Sequence, residues 1–502
     1  NYLNNYQSKV SKIYRPIPWK ELLFLRIIIG NMATETPKPS DLLLKKFKHE
    51  PTPGQAELFT LMDSFLTEED TERSVFVLKG YAGTGKTTFL SSLIKVLPKF
   101  GWKSVLMAPT GRAAKVMANY SKRQAQTIHK KIYKQKESSY SGNLVFELQK
   151  NYAEGTLFIV DEASMIGDRR EFGKDSLLSD LIKYVFEGKY NKLLLIGDEA
   201  QLPPIGMEYS PALNIEHLEN QYFSEVTGHS LTEVTRQQEG SGILVNATQI
   251  REALTTDKPK VTFQTKEFKD IFRMTSERIE DGLRYAYEKY GPQNTTVICR
   301  SNKNAVQYNQ YIRNNIHSCE NELEIGDMLM VVRNNYTVLG EESEAGFIAN
   351  GEFVEVRHLG REDEMHGFRF QFVTLQLVDY PNDPEFETMI LLDTLNSHSP
   401  TLTQEENKSL YESVLKDYYW AKSKKERSEL LAADPYLNAL QVKYAYALTC
   451  HKSQGGQWDV VFVDQGYIPN NEIDTDYLRW LYTGLTRGVK EVFLVNFNAQ
   501  FY

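Results

Sequence analysis

The sequence predicts an α/β protein built from two α/β domains, with a β-rich insertion that carries a helical arm. Three observations lead there. Short, apolar strand-like runs at Val75 to Leu78, Ser104 to Met107, Leu157 to Val160 and Leu193 to Ile196 alternate with helical patterns such as Thr87 to Leu97, the texture of parallel strands covered on both faces by helices. The same texture returns at Val297 to Cys299, Val460 to Val463 and Val492 to Val495, so a second domain of this class is expected. Between them, over 341–440, the pattern becomes period-two, as in Phe353-Val354-Glu355-Val356 and Phe370 to Leu375. A polar helical stretch follows from Glu405 to Leu431.

Length and composition agree with several cores. The 502 residues suggest about three domains, and 41% hydrophobic with 25% charged residues excludes collagen-like, disordered and coiled-coil readings for the bulk. A net charge of −8 argues against a uniformly basic coat for nucleic acid. The average hides a local feature: from Lys103 to Lys136 there are nine Lys or Arg and no Asp or Glu, a basic track on an acidic body. Cys299, Cys319 and Cys450 show no C-x-x-C spacing, so neither a disulfide scaffold nor a structural zinc is expected, and a reducing cytoplasm fits. The apolar run Leu22 to Ile29 is broken by Arg26 and is shorter than the ~20 residues of a membrane span. A weakly structured extension is expected over 1–50, with no membrane association.

The first strand-to-helix turn reads Gly80-Tyr81-Ala82-Gly83-Thr84-Gly85-Lys86-Thr87-Thr88, which satisfies G-x-x-x-x-G-K-[ST] in the context that motif requires. Its glycines let backbone N–H groups curl around a β-phosphate, Lys86 reaches the β- and γ-phosphates, and Thr87 can hold Mg²⁺. Leu157 to Val160 ends in Asp161-Glu162. Asp161 is the candidate for Mg²⁺ and Glu162 for orienting and deprotonating the attacking water. A third strand ends in Gly197-Asp198-Glu199-Ala200-Gln201, and the neutral amide of Gln201 is a candidate γ-phosphate sensor. A P-loop followed by these strand ends calls for ATP with Mg²⁺.

Read in order, these segments resemble the 5′-to-3′ branch of superfamily 1 helicases, the RecD/Pif1/Dda type, with the layout closest to Dda. Further matches extend the resemblance from about residue 51 to the end. Gln55 in Pro53-Gly54-Gln55 stands where that family has its adenine-reading glutamine. Ala108-Pro109-Thr110-Gly111-Arg112 to Lys115 is similar to motif Ia, Gln126-Thr127-Ile128-His129-Lys130 to motif Ib, Tyr446 to Gly455 to motif V, and Tyr482 to Gly488 to motif VI.

The resemblance implies two tandem RecA-like P-loop domains, a β-hairpin pin and an SH3-like β-barrel insertion with a helical arm. It places the first motor domain at 51–235 with the pin at about 131–152, the second at 236–340 and 441–502, and the barrel and arm at 341–440. Arg236 and Arg487 would reach the γ-phosphate, Arg487 as a finger from the second domain, and Gly455 would line the nucleotide site. Pro109, Thr110, Thr127, His129, His451 and Lys452 would contact the strand, and Phe146 would either stack on a base at the pin or pack on its own domain as part of a surface hairpin. Tyr418, Tyr419 and Trp420 take the position of the Dda tower or form the arm's own core.

The implied activity is ATP-dependent 5′-to-3′ translocation on single-stranded DNA and unwinding at single/double-strand junctions by a monomeric motor. Single-strand-binding, replication and repair proteins are its candidate partners, and a nucleoid-associated cytoplasmic setting in a bacterial or phage-infected cell is the expected location. Three alternatives remain at this level: an RNA or dual-substrate helicase, since no quoted residue reads a 2′-hydroxyl; an ATP-switched strand-binding module; and a RecD-like subunit of an exonuclease V-type complex.

Overall fold

The computed structural model describes residues 37–67, 73–137, 144–169, 175–222, 225–235, 240–256, 259–340, 343 and 345–502. In the first domain the strands are β1 (Ser74–Gly80), β2 (Lys103–Ala108), β3 (Ala125–Thr127), β4 (Tyr133–Glu137), β5 (Leu144–Leu148), β6 (Thr156–Val160), β7 (Lys192–Gly197) and β8 (Glu225–Leu231). Six of these form one sheet in the order β3-β2-β6-β7-β1-β8, parallel throughout.

The apolar runs are continuous because both faces of the sheet are covered. Phe76, Leu78, Ile159 and Leu194 pack on the side of the helices Pro53–Thr67 and Lys86–Val96, whereas Val75, Val77, Phe158, Val160 and Leu193 pack on the side of the helix Leu177–Glu187. Each such side chain contributes about 1.5–3 kcal/mol by leaving water.

The expected extension over 1–50 is helical from Pro39 to Lys46. Pro39 starts that helix, the Ser40 hydroxyl donates to Asp63 at 2.7 Å, and fully buried Leu43 joins the first core. β4 and β5 stand outside the sheet as an antiparallel hairpin with Gln135 opposite Phe146.

The later strands are β9 (Ile271–Met274), β10 (Thr295–Cys299), β11 (Met328–Val331), β12 (Phe353–Met365), β13 (Phe368–Leu377), β14 (Phe386–Leu391), β15 (Leu440–Tyr444), β16 (Ala447–Thr449), β17 (Trp458–Asp464) and β18 (Gly488–Val495). A second parallel sheet has the order β16-β10-β17-β18-β9, and β11 to β15 close a five-stranded barrel. The barrel therefore starts before residue 341 and ends after 440. Met328-Leu329-Met330-Val331 is buried at every position and reads in sequence like a parallel strand, yet it pairs antiparallel with β12 and β15.

The arm is two helices, Gln404–Asp417 and Lys424–Ala433. Leu410, Val414 and Leu431 seat them on Phe370, Met389 and Leu391 of the barrel. At the turn between the helices Tyr418 donates to Asp434, while Tyr419 and Trp420 are exposed, so those two rings are not core. No helix among the described residues is long and apolar enough to cross a membrane.

Candidate active site and strand-facing surface

In an open parallel sheet, ligand-binding loops gather beyond the carboxyl ends of the strands. β6, β7 and β1 lie side by side, so Asp161-Glu162, Asp198 and the phosphate loop meet at one edge. The loop reaches its shape through left-handed backbone at Gly83 and Gly85, with φ of 78° and 87°, after which the helix Lys86–Val96 begins.

Lys86 donates to the carbonyls of Gly80 and of Tyr81, the latter at 2.9 Å, so its ammonium is held inside the loop. The Thr84 hydroxyl donates to the Tyr81 carbonyl at 2.8 Å. Thr88 continues the helix, and Thr87 in its first turn is exposed. Gln55 is 1% exposed. Its amide donates to the Thr84 carbonyl at 2.9 Å and its oxygen accepts from Thr52 N at 3.1 Å, so in this structure it braces the loop from behind.

Asp161 accepts from the Tyr120 hydroxyl at 2.6 Å and from Glu162 N at 2.9 Å. Burial, followed by the neighbouring Glu162 charge, raises its pKa above the ordinary carboxylate value, with Lys86 acting in the opposite direction. A divalent cation is the charge that such a carboxylate lacks, and Asp161 and Thr87 are oxygen donors of the kind that suit Mg²⁺. Glu162 takes a left-handed backbone at φ 54°, rare for a side-chain-bearing residue and typical of sites where the surroundings over-determine geometry.

The second domain closes the site. Arg487, 3% exposed, has Nη1 3.8 Å from Glu162 Oε1, and it donates to the carbonyls of Thr483 at 3.1 Å and Gly456 at 3.2 Å. The Tyr482 hydroxyl accepts from the loop amide of Ala82 at 2.8 Å and donates to Asp198 at 2.7 Å. Asp198, also raised in pKa by burial, and Tyr482 are site residues that the motifs quoted above contain without singling out. Gln201 is 5% exposed, and its side-chain oxygen is buried with no hydrogen-bond partner among the described residues, so it can accept from a bound group. Next to it, Leu202 accepts from Gln454 at 2.8 Å and donates to Thr483 at 2.9 Å. Arg236 lies outside the described residues.

Gly455 is not among the loop residues. Its φ is 74°, and a Cβ there would stand 2.8 Å from Ala113 Cβ and 2.9 Å from Thr110 Oγ1, which puts it against the motif Ia segment. That segment, just after Pro109 at the end of β2, and the motif Ib segment at the end of β3 are neighbours in the sheet. Thr110 and Thr127 cap the two helices there, each accepting a backbone N–H at 3.2 Å. Each hydroxyl keeps its own O–H to donate to a phosphate oxygen. Burial lowers the His129 pKa, which favours the neutral ring, suited to stacking or hydrogen bonding. Across the cleft His451 is exposed, and Lys452 donates to Asn350 of the barrel. Phe146 is in β5, but its side chain lies outside the described residues.

The basic run is partly neutralised in the fold. Lys115 pairs with Asp379 at 3.0 Å, and Arg112 is stacked between rings beside Glu352. The local excess facing solvent is therefore smaller than nine.

These elements define a class: a P-loop nucleotide-binding protein whose site is shared by two parallel-sheet domains and flanked by a barrel. Comparison with known proteins narrows it. The AAA domain family model matches residues 53–269, and the UvrD-like helicase C-terminal domain model matches residues 444–495. The ATP-dependent DNA helicase dda of Enterobacteria phage T4 is 25% identical over 88% of this chain and 99% of its own. The ATP-dependent RecD2 DNA helicase of Deinococcus radiodurans is 33% identical over 26% of this chain and 16% of its own. Among solved structures, the Pif1 helicase from Bacteroides in complex with ADP-AlF3 and ssDNA shares 17% identity, covers 90% of this chain and 94% of its own, and gives a TM-score of 0.45. In these matches the chain is similar to ATP-dependent DNA helicases.

Proposed function

We propose that this chain is an ATP-dependent DNA helicase that translocates 5′ to 3′ on single-stranded DNA and opens duplex ahead of it. The observation that carries the reading is the reach of Arg487 from the second domain to Glu162 of the first. An ATP site that needs an arginine from another body is complete only when the cleft is closed, so turnover is tied to domain movement.

In this reading Lys86 holds the β- and γ-phosphates and Glu162 takes the proton of the attacking water. Arg487, with Arg236 as a second candidate, offsets charge that develops in the transition state. Gln201 offers its orphan oxygen to the water or to a group that senses the γ-phosphate. Thr87 and Asp161 would hold Mg²⁺, which would supply positive charge against the phosphates. On the neighbouring strand ends, the Thr110 and Thr127 hydroxyls donate to DNA phosphates, while His129 and His451 stack on or hydrogen-bond to the strand.

The test is strand displacement on duplexes with a 5′ or a 3′ overhang, with and without ATP. Product from the 5′-tailed duplex alone, and only with ATP, is expected. Product only from the 3′ tail would refute the polarity, and nucleotide-dependent binding without displacement would favour a strand-binding switch. Equal stimulation of ATP turnover by poly-U and poly-dT would favour the dual-substrate alternative.

A further inference from the structure

An arginine sits where both motor domains and the barrel meet. Arg112 is in the first turn of the helix Gly111–Ser121. Its guanidinium carbon is 4.1 Å from the ring centre of Trp458, at the start of β17, and 4.5 Å from that of Phe353, at the start of β12. Two barrel acids face it. Glu352 is 2% exposed, and its carboxyl lies directly over Gly111, while Asp379 is held by Lys115 of the same helix. Burial lowers the pKa of the guanidinium, and the Asp379 charge opposes that only in part. Arginine suits this place because its planar cation stacks on ring faces and stays charged when desolvated.

Trp458 is tied to Arg487 in two ways. Its backbone N–H donates to the Arg487 carbonyl at 3.0 Å. The edge of its ring also lies against Gly456, where a Cβ would stand 2.5 Å from it and 3.2 Å from Arg112 Cδ. The Gly456 carbonyl in turn accepts from Arg487 Nη1 at 3.2 Å, and that same nitrogen is 3.8 Å from Glu162. A contiguous chain of contacts thus runs from the motif Ia helix and the barrel, through Trp458 and Gly456, to the nucleotide site.

We propose that Arg112 is a positioning residue for Arg487: stacked on Trp458, it sets where the Gly456 carbonyl stands and so holds the Arg487 side chain at the site. Engagement of a strand along the motif Ia segment and barrel is thereby transmitted to turnover. The inference rests on the reading of Arg487 as a group that acts on ATP.

The test compares Arg112→Met, Arg112→Lys, Trp458→Phe, Arg487→Ala and the Arg112→Met/Arg487→Ala double variant of the full chain. The readouts are kcat and KM for ATP at saturating oligo-dT, and oligo-dT affinity by fluorescence anisotropy. Arg112→Met should lower kcat about tenfold while leaving KM and oligo-dT affinity within about twofold. Trp458→Phe, which keeps a ring to stack on, should retain most of the turnover. The double variant should be no slower than Arg487→Ala alone, because losses expressed through one group do not add.

Multiplying losses in the double variant would overturn the proposal. So would a loss confined to oligo-dT affinity with kcat intact, which would make Arg112 a strand contact. Should Arg112→Met fail to fold, Arg112→Lys, which keeps the charge and loses the planar stack, carries the same expectations. Normal turnover in Arg112→Met beside a crippled Arg487→Ala overturns this inference alone, whereas normal turnover in Arg487→Ala overturns the reading of Arg487 and the inference with it.

Discussion

Lys86 is held inside its own loop by the carbonyls of Gly80 and Tyr81, away from both hydrophobic faces of the sheet. Lys86→Ala should therefore abolish ATP turnover while leaving far-UV circular dichroism unchanged; normal DNA-stimulated turnover would refute the phosphate-site reading. Glu352 shows the opposite case, a charge-bearing residue taken out of water. Burial, reinforced by Asp379, raises its pKa from 4.5 to about 8, with Arg112, Lys115 and Lys130 pulling it down. The folded chain then keeps a proton that the unfolded chain has released. That contribution to stability is complete below about pH 4.5 and is lost as pH rises through about 8. Glu352→Gln keeps the neutral shape at every pH, so its thermal midpoint should fall less between pH 6 and pH 9 than that of the parent; equal falls would refute the assignment. Lys86, Asp161 and Glu162 stand out in sequence because phosphate chemistry favours fixed residue types at short spacings, and the fold brings their strand ends side by side. Tyr482, Asp198 and Arg112 were not singled out, because their roles depend on partners such as Ala82 and Trp458 that are distant in the chain.

Among the elements, strands buried on both faces announced themselves. Thr156–Val160 is buried at every position, and burial on both faces demands an unbroken apolar run. The edge strand β8 did not. Glu225–Leu231 contains Gly228, His229 and Ser230 and is mostly uncovered, so only its pairing with β1 makes it a strand. The arm's polar helices were foreseeable, but their seat was not: Leu410 and Val414 find the barrel's Phe370 and Met389. Leu410→Ala should weaken that seat by about 2–5 kcal/mol. Limited proteolysis should cut the arm faster in this variant, while ATP turnover on single-stranded DNA persists, since no arm residue touches the nucleotide site among the described contacts. Loss of turnover together with arm loosening would show that the arm and motor are one cooperative unit.

For the whole molecule, the two tests concern coupling and charge. Arg487→Ala should leave nucleotide binding largely intact and reduce DNA-stimulated kcat by about 10³-fold or more, as expected of a finger that acts chiefly in the transition state; equal losses in binding and turnover would count against that role. If about five phosphates are held, affinity for single strands should fall with a log–log salt slope near −3.5, measured by anisotropy across a salt series. A slope near zero would mean that the exposed remainder of the basic run is not a strand track. The net charge of −8 is compatible with such a track because the basic residues are gathered in one segment, where Lys115 is paired with the barrel's Asp379 and Arg112 is stacked between rings, leaving a narrower surface. The sequence by itself determined the phosphate loop, the acidic strand ends and the two parallel sheets, because these follow from local backbone geometry and from burial on both faces. Only the tertiary structure decided the barrel's true ends, the bracing role of Gln55, the position of Gly455 against Thr110 and the path from Arg112 to Arg487. Each of those is a meeting of segments far apart in the chain, and the spacing of residues along a sequence carries no information about which distant surfaces will meet.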